Sequence, residues 1–222
     1  LEATGLRCGR DFFVAYSPER EDPGNPDFGT ADIPKVVAGA DPVSLRLALM
    51  LYGAAVRRAV PVADLETAEA VKLAENVFRA VNIALANELK LVFGAMGIDP
   101  WAVTEAAATK PFGYMPFWPG PGPGGHCIPV DPHYLAWRAR ERGVETRLLD
   151  TACAVNDAMP RHVLGRLEEA LAVRGRRLAG SRVLVLGVGY KRNHEDARES
   201  PGPRLMEMLE AAGAAVAHFD PL

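Results

Sequence analysis

The stretch that decides the fold is LETAEAVKLAENVFRAVNIALANELKLVF, residues 65–93. It runs for 29 residues without Gly or Pro. Val71, Ala74, Val77, Phe78, Val81, Leu85, Leu89 and Val92 recur at three- and four-residue spacing, the repeat of one helix face. At about 1.5 Å per residue this helix extends roughly 43 Å. A helix of that length runs through the middle of a molecule or across a dimer, so a homodimer through residues 65–93 is expected.

Before it, FFVAY (12–16) reads as a buried strand and PKVVAG (34–39) as a second, with turn signals between them. DPVSLRLALMLYGAAV (41–56) reads as a helix capped by Asp41 with Pro42 at its first position. RAVPVAD then reads as a strand, completing a strand–helix–strand unit. After the long helix, DPWAVTEAAAT (99–109) repeats the Asp-Pro start, and Asp131-Pro132 repeats it again ahead of a helix closed by Gly143. Helices are expected at 146–157 and 160–173. RVLVLGVGYK (182–191) reads as a buried strand entering a glycine turn, SPGPRLMEMLEAAG as a helix, and AAVAHFD as a parallel strand. The fold class is α/β: an α/β piece at 1–63, an all-helical domain at 64–160, and a second α/β piece at 161–222.

Composition narrows the function classes. The 222 residues are 49% hydrophobic and 24% charged, with a net charge of −3 and no long basic run; nucleic acid is not an expected partner. No apolar run reaches the roughly 18 residues that span a bilayer, and LEATGLRCGRDFF lacks the apolar centre of a signal peptide. Cys8, Cys127 and Cys153 are odd in number and widely spaced, so a reducing cytoplasm fits better than a disulfide framework. The chain starts without Met, close to a strand, and stops just after one; it is expected to be a piece of a longer protein.

The chemistry-bearing stretch is PGPGPGGHCIPVDPHYL, residues 119–135. Cys127 precedes a helix start, where free N–H groups and the helix dipole favour a thiolate. Gly120, Gly122, Gly124 and Gly125 let backbone approach a ligand and offer N–H groups to an anion such as phosphate. Residue chemistry alone leaves Cys127 either a nucleophile or a buried structural cysteine. A metal site of His126, Cys127 and His133 is a weaker reading, because its spacing lacks paired ligands. Asp131 reads as the helix cap, and a capped carboxylate four residues from Cys127 could also move protons. Lys72 and Asn76 share a helix face. They are either a solvated stripe with Glu69 pairing Lys72, or a cation and amide aimed at one developing negative charge. Glu19 follows a strand end, where α/β sheets place sites, or it lies on a surface turn. VLGVGYKRN departs from the dinucleotide motif, since Arg192 stands where a third glycine is required; Lys191 and Arg198 are available cations there.

AYSPEREDPGN, KLAENVFRAVNIALANEL, PGPGPGGHCIPVDP and GVGYKRNHEDARESPG, in this order and spacing, resemble the nucleotide-sugar 6-dehydrogenases, the group that includes UDP-glucose dehydrogenase. The resemblance runs along nearly the whole chain. It implies a partial Rossmann-like N-terminal piece without the opening GxGxxG of an NAD-binding domain, a central helical domain and the start of a UDP-binding domain, so the chain alone is expected to be inactive. It further implies a two-step oxidation of a sugar C6 alcohol to a carboxylate with two NAD⁺, through a thiohemiacetal and a thioester on Cys127. Lys72 and Asn76 would stabilise the oxyanion, Asp131 would assist proton transfer, and Glu19 would handle water or act as base. The PFGYMPFWPGPG loop, with Phe112 and Tyr114, would cover the substrate, and Lys110 stands near the place from which, in relatives, a cation of the neighbouring subunit reaches it, in place of the Arg of UDP-glucose enzymes. Lys191 would meet the nucleotide sugar and Arg198 would reach toward the cofactor. His126 before the cysteine, and Val130 where UDP-glucose enzymes usually have Lys, are similar to the branch acting on UDP-N-acetylhexosamines; the lead-in is most similar to UDP-N-acetylglucosamine enzymes, with UDP-N-acetylmannosamine, UDP-N-acetylgalactosamine or UDP-glucose as alternative substrates and a non-catalytic dimerisation module as the alternative role.

Overall fold

A computed structural model describes residues 1–22 and 24–221. The chain divides into two compact units, residues 1–75 and the chain from Asn76 onward. Each contains its own sheet.

In the first unit the sheet order is β1 (Ala15–Tyr16), β2 (Lys35–Gly39), β3 (Ala59–Pro61), with β1 antiparallel and β3 parallel to β2. The central strand carries the core: Val36, Val37 and Ala38 are buried, and Ala68, Val62, Leu65 and Val71 pack with Val36 and Ala38. Burying one such valine contributes about 1.5–3 kcal/mol. Helix α1 (Pro42–Gly53) begins at Asp41, whose Oδ1 accepts from the N–H groups of Val43 (2.8 Å) and Ser44 (3.0 Å). The chain turns into α1 at Gly39, where a Cβ would lie 2.2 Å from the Leu45 nitrogen. Only glycine allows that approach, so Gly39→Ala would separate helix from strand. The expected 12–16 strand shortens to two residues, with Phe13, Val14 and Tyr16 exposed rather than buried. β1 is an edge strand paired on one side only, which leaves its other residues facing water.

Helix α2 (Leu65–Ala95) is continuous for 31 residues and spans the division between the units. Its buried positions in the second unit are Asn76, Ala80, Ala84 and Asn87, whereas Phe78, Leu85, Leu89 and Val92 are exposed. The apolar stripe read from the sequence is therefore not the face this chain buries. That face is held through its amides: Asn76 bonds Asp131, and Asn87 bonds Asn156.

The second unit continues with α3 (Pro100–Ala108), α4 (Asp131–Glu141) and α5 (Arg147–Ala172), then β4 (Arg182–Leu186), α6 (Pro201–Ala211) and β5 (Ala215–Phe219). β4 and β5 pair in parallel across the α6 crossover, a strand–helix–strand unit as expected. Asp99 caps α3 through Trp101 N–H (2.9 Å), and Ser200 caps α6 through Gly202 N–H (3.3 Å). Two expectations are corrected. Residues 147–172 form one helix with Pro160 inside it, not two; packing outweighs the one N–H that proline lacks. β4 is not buried: Leu184 and Leu186 are exposed, because alternate residues of a two-stranded sheet point away from its single covering helix. Among the described residues no helix is long and apolar enough to cross a membrane.

Candidate active site

In the second unit the glycine loop runs from the end of α3 into α4. From 119 to 125 the sequence is Pro-Gly-Pro-Gly-Pro-Gly-Gly, so only the glycines can donate backbone hydrogen bonds. Gly120 N–H donates to Asn87 Oδ1 on α2 at 2.9 Å, and Gly125 N–H donates to the Arg198 carbonyl at 3.1 Å. Gly124 and Gly125 lie against Tyr190: a Cβ on Gly124 would be 2.5 Å from Tyr190 Cβ, and one on Gly125 would be 2.8 Å from its ring. Gly125 also has φ +85°, the left-handed region that favours glycine.

Cys127 follows, partly buried and unpaired by disulfide. Its carbonyl accepts from the N–H groups of Val130 (3.1 Å) and Asp131 (2.8 Å). That short turn fixes the start of α4 and corrects the reading of Asp131 as its cap. Asp131 is the first helical residue, Val130 stands at the cap position, and no side chain caps the helix. The Asp131 carboxylate instead accepts from Asn76 Nδ2 on α2, while Asn76 Oδ1 accepts from Arg79. Guanidinium only donates and an ionised carboxylate only accepts, so these two partners permit one orientation of the fully buried Asn76 amide. Its second N–H is not held by either partner. Cys127, Asp131 and Asn76 are thus linked through one turn and one side-chain bond, with Arg79 fixing the amide from behind.

Arg198 is held by Asp196, its Nη2 2.7 Å from Oδ2 and its Nε 3.1 Å from Oδ1. The hydrogen bond and charge of Asp196 raise the guanidinium above its ordinary value, and Tyr190 and Cys127 add smaller contributions. The Arg198 hydrogen bond in turn lowers the Asp196 carboxyl to about 2. Lys191 is half-buried. Lys110 stands 5.0 Å from the ring centre of Phe112, and both Phe112 and Tyr114 are exposed on the lead-in loop. Beneath the loop a cavity of about 130 Å³ is lined by Gly122, Ile128, His133, Cys153, Asn156 and Ser200, among others. Cys127 is not in that lining. Burial, with Asp157 and Asp150, raises the Cys153 thiol above its ordinary value. Among the described residues no group of three His, Cys, Asp or Glu side chains could hold a metal ion.

Glu19 and Lys72 lie in the first unit. Glu19 Oε2 accepts from Lys35 Nζ at 2.8 Å, and its Oε1 accepts from the N–H groups of Arg20 (2.7 Å) and Glu21 (2.8 Å). Burial opposes ionisation of this carboxyl, but those bonds outweigh it and lower the pKa. Lys72 is half-buried on α2, and among the described residues it makes no ion pair with Glu69. Arg20 pairs instead with Glu75 at 2.6 Å. Three functional candidates escape sequence reading: Arg79, Asn87 and Asn156. Asn76 and Asn87 are eleven apart, about three turns, so two amides on one otherwise apolar stripe were a usable signal for Asn87.

Parallel strand–helix–strand units before and after a helical segment define a Rossmann-type α/β protein. Comparison then gives the family. A model described as "UDP-glucose/GDP-mannose dehydrogenase family, central domain" matches residues 66–158, and one described as that family's "UDP binding domain" matches 184–222. The chain belongs to the UDP-glucose/GDP-mannose dehydrogenase family. It is 39% identical to a UDP-N-acetyl-D-glucosamine 6-dehydrogenase of Pseudomonas aeruginosa, over 98% of this chain and 51% of that protein. It is 37% identical to a UDP-N-acetyl-D-mannosamine dehydrogenase of Pyrococcus horikoshii, over 98% and 51%. The solved structure of the UDP-D-ManNAc dehydrogenase from Pyrococcus horikoshii superposes with a TM-score of 0.91 at 36% identity, covering 99% of this chain and 52% of that one. The chain spans about half the length of these relatives.

Proposed function

We propose that this chain carries the covalent-catalysis machinery of an NAD-dependent 6-dehydrogenase acting on a UDP-N-acetylhexosamine, UDP-N-acetylglucosamine first. The observation that carries the reading is the Asn76–Asp131 bond one helical turn after Cys127. It leaves a carboxylate, four residues after the cysteine, that does no capping work. In this reading the Cys127 thiolate attacks the C6 aldehyde, forming a C–S bond and a tetrahedral oxyanion. Asn76, through its second N–H, and Lys72, four residues earlier on α2, stabilise that charge. After oxidation to the thioester, water adds to the carbonyl, Asp131 takes its proton, and the C–S bond breaks to free the uronate and the thiolate. Glu19 handles water or acts as base by its match to the family motif. Lys110, Phe112, Tyr114 and the four loop glycines hold the nucleotide sugar, with Lys191 on its UDP side and Arg198 toward the cofactor.

The two hydrides belong to NAD. The β4 turn does not fit as its pyrophosphate cradle: Arg192 replaces the third glycine, and the Val188 and Gly189 N–H groups both donate to Asp220 Oδ2 (2.7 and 3.0 Å). NAD enters the proposal through the family, and the steps above concern the chain's own residues. The reading is completed by a reducing cytoplasm, which suits three free cysteines, and by a homodimer seated on the exposed stripe Phe78, Leu85, Leu89 and Val92 of α2. Leu85→Glu is expected to convert a sedimenting dimer to monomer.

The test is alkylation of Cys127 in the purified chain, followed by mass spectrometry. UDP-N-acetylglucosamine or UDP-N-acetylmannosamine is expected to slow it, and simple aldehydes or esters are not. No protection by any UDP-sugar would falsify the reading.

A further inference from the structure

We infer that Asn87 and Asn156 form a buried amide relay that positions the glycine loop, and that both are positioning residues for the substrate site proposed above. The relay rests on that functional reading for its purpose, not for its geometry. Asn87 on α2 is 0% exposed and Asn156 on α5 is 5% exposed. Gly120 N–H donates to Asn87 Oδ1 (2.9 Å), Asn87 Nδ2 donates to Asn156 Oδ1 (3.0 Å), and Asn156 Nδ2 donates to the Ala80 carbonyl (3.0 Å). The direction of every bond is forced. A backbone N–H at one end can only donate, and a backbone C=O at the other can only accept. Neither amide can flip without placing donor against donor or acceptor against acceptor.

The same residue holds the loop a second way. Pro160 stands four residues after Asn156 and has no N–H to return to the Asn156 carbonyl. That carbonyl faces Gly122, where a Cβ would lie 3.0 Å from it and where φ is +114°. The proline inside α5 thus leaves an acceptor directed at the loop, and Gly122 is the residue that can approach it. Gly120 is fastened to both long helices through side chains, and Gly122 rests on α5 through backbone. Cys127 follows Gly122 by five residues, and the loop between them is closed by the Gly125–Arg198 bond. A buried amide pair is costly when half broken, so its removal should loosen the loop far more than the rest of the unit.

The experiment is amide hydrogen exchange by NMR on the whole chain, with UDP binding by calorimetry alongside. In Asn87→Ala, Gly120 exchange is expected to accelerate at least tenfold and UDP affinity to fall at least fivefold. Leu178→Ala, a core truncation in the same unit with a comparable loss in Tm, should leave both unchanged. Should Asn87→Ala not fold, Asn87→Leu serves. It keeps the side-chain volume but offers neither an acceptor to Gly120 nor an N–H to Asn156, and the same acceleration is expected. Unchanged Gly120 exchange in the Asn87 variant, or equal acceleration in Leu178→Ala, overturns the relay. If exchange accelerates as expected but the unaltered chain binds no UDP, the relay stands and the functional reading falls.

Discussion

Helices α1 and α4 open on the same dipeptide, Asp-Pro, and use the aspartate differently. At α1, Asp41 lies before the helix and bonds Val43 and Ser44 N–H groups; Ser44, more than any other neighbour, lowers its carboxyl. At α4, Asp131 is already helical and its carboxylate goes to Asn76, 55 residues away in sequence. The first carboxylate serves its own backbone. The second is held by another helix, four residues after a cysteine, which leaves it able to act on something else. A local cap makes stability, and a carboxylate released from capping makes a candidate for chemistry.

The comparison breaks most visibly at Asp131. For the activity proposed above, assayed with an NAD-binding segment joined to the chain, Asp131→Asn is expected to lower turnover of UDP-N-acetylglucosamine by about 10²–10⁴-fold, the usual worth of a positioned proton-transfer group, with little change in Tm. An NADH-formation assay beside a melting curve checks it, and a large Tm loss with turnover intact would place Asp131 with the caps. Arg79→Met sharpens the same point. With the donor to Asn76 Oδ1 gone, the amide is held by Asp131 alone, and about a tenfold loss in kcat with little change in KM is expected; a KM effect alone would argue against it.

The reverse result is expected at α1. Asp41→Ala should lower the melting midpoint of the first unit by about 4–8 °C, the response of a small domain to a lost cap, and leave Cys127 alkylation unchanged. Asp99, with a single capping bond to Trp101, should cost about 1 kcal/mol when changed to Ala, read by urea unfolding. The smallest effect concerns pH. Asp196 has its carboxyl lowered from 3.8 to about 2 by Arg198, so the folded state binds that proton less readily than the unfolded chain. Its stabilising contribution is therefore present above pH 3.8 and lost as pH falls through about 2. An NMR titration of the Asp196 carboxyl should show a midpoint near 2 and release of Arg198 with it; a midpoint at 3.8 would remove the pairing.

Much of the architecture was legible in the sequence. The long helix, both strand–helix–strand units and the Asp41 and Asp99 caps follow from patterns within a few residues. The readings that failed depended on distant partners. The apolar stripe of α2 was visible, but not that Asn76, Ala80, Ala84 and Asn87 form the buried face. Pro160 read as a helix break because nothing local shows that α5 packs well enough to carry it. Of the site, Cys127 and the glycines stood out by type and position, while Asn156 did not, because an asparagine in a helix has no signature until its partners are known.

By itself, the sequence determined where α1 and α3 begin, which loop must be built on glycine, and which family the chain resembles. Tertiary structure alone decided which aspartate caps and which faces Asn76, and that two buried amides hold the glycine loop. Capping bonds close within three residues and are encoded where they form. A carboxylate–amide bond across 55 residues exists only once two helices have packed, and burial then fixes each donor and acceptor because no water remains to replace them.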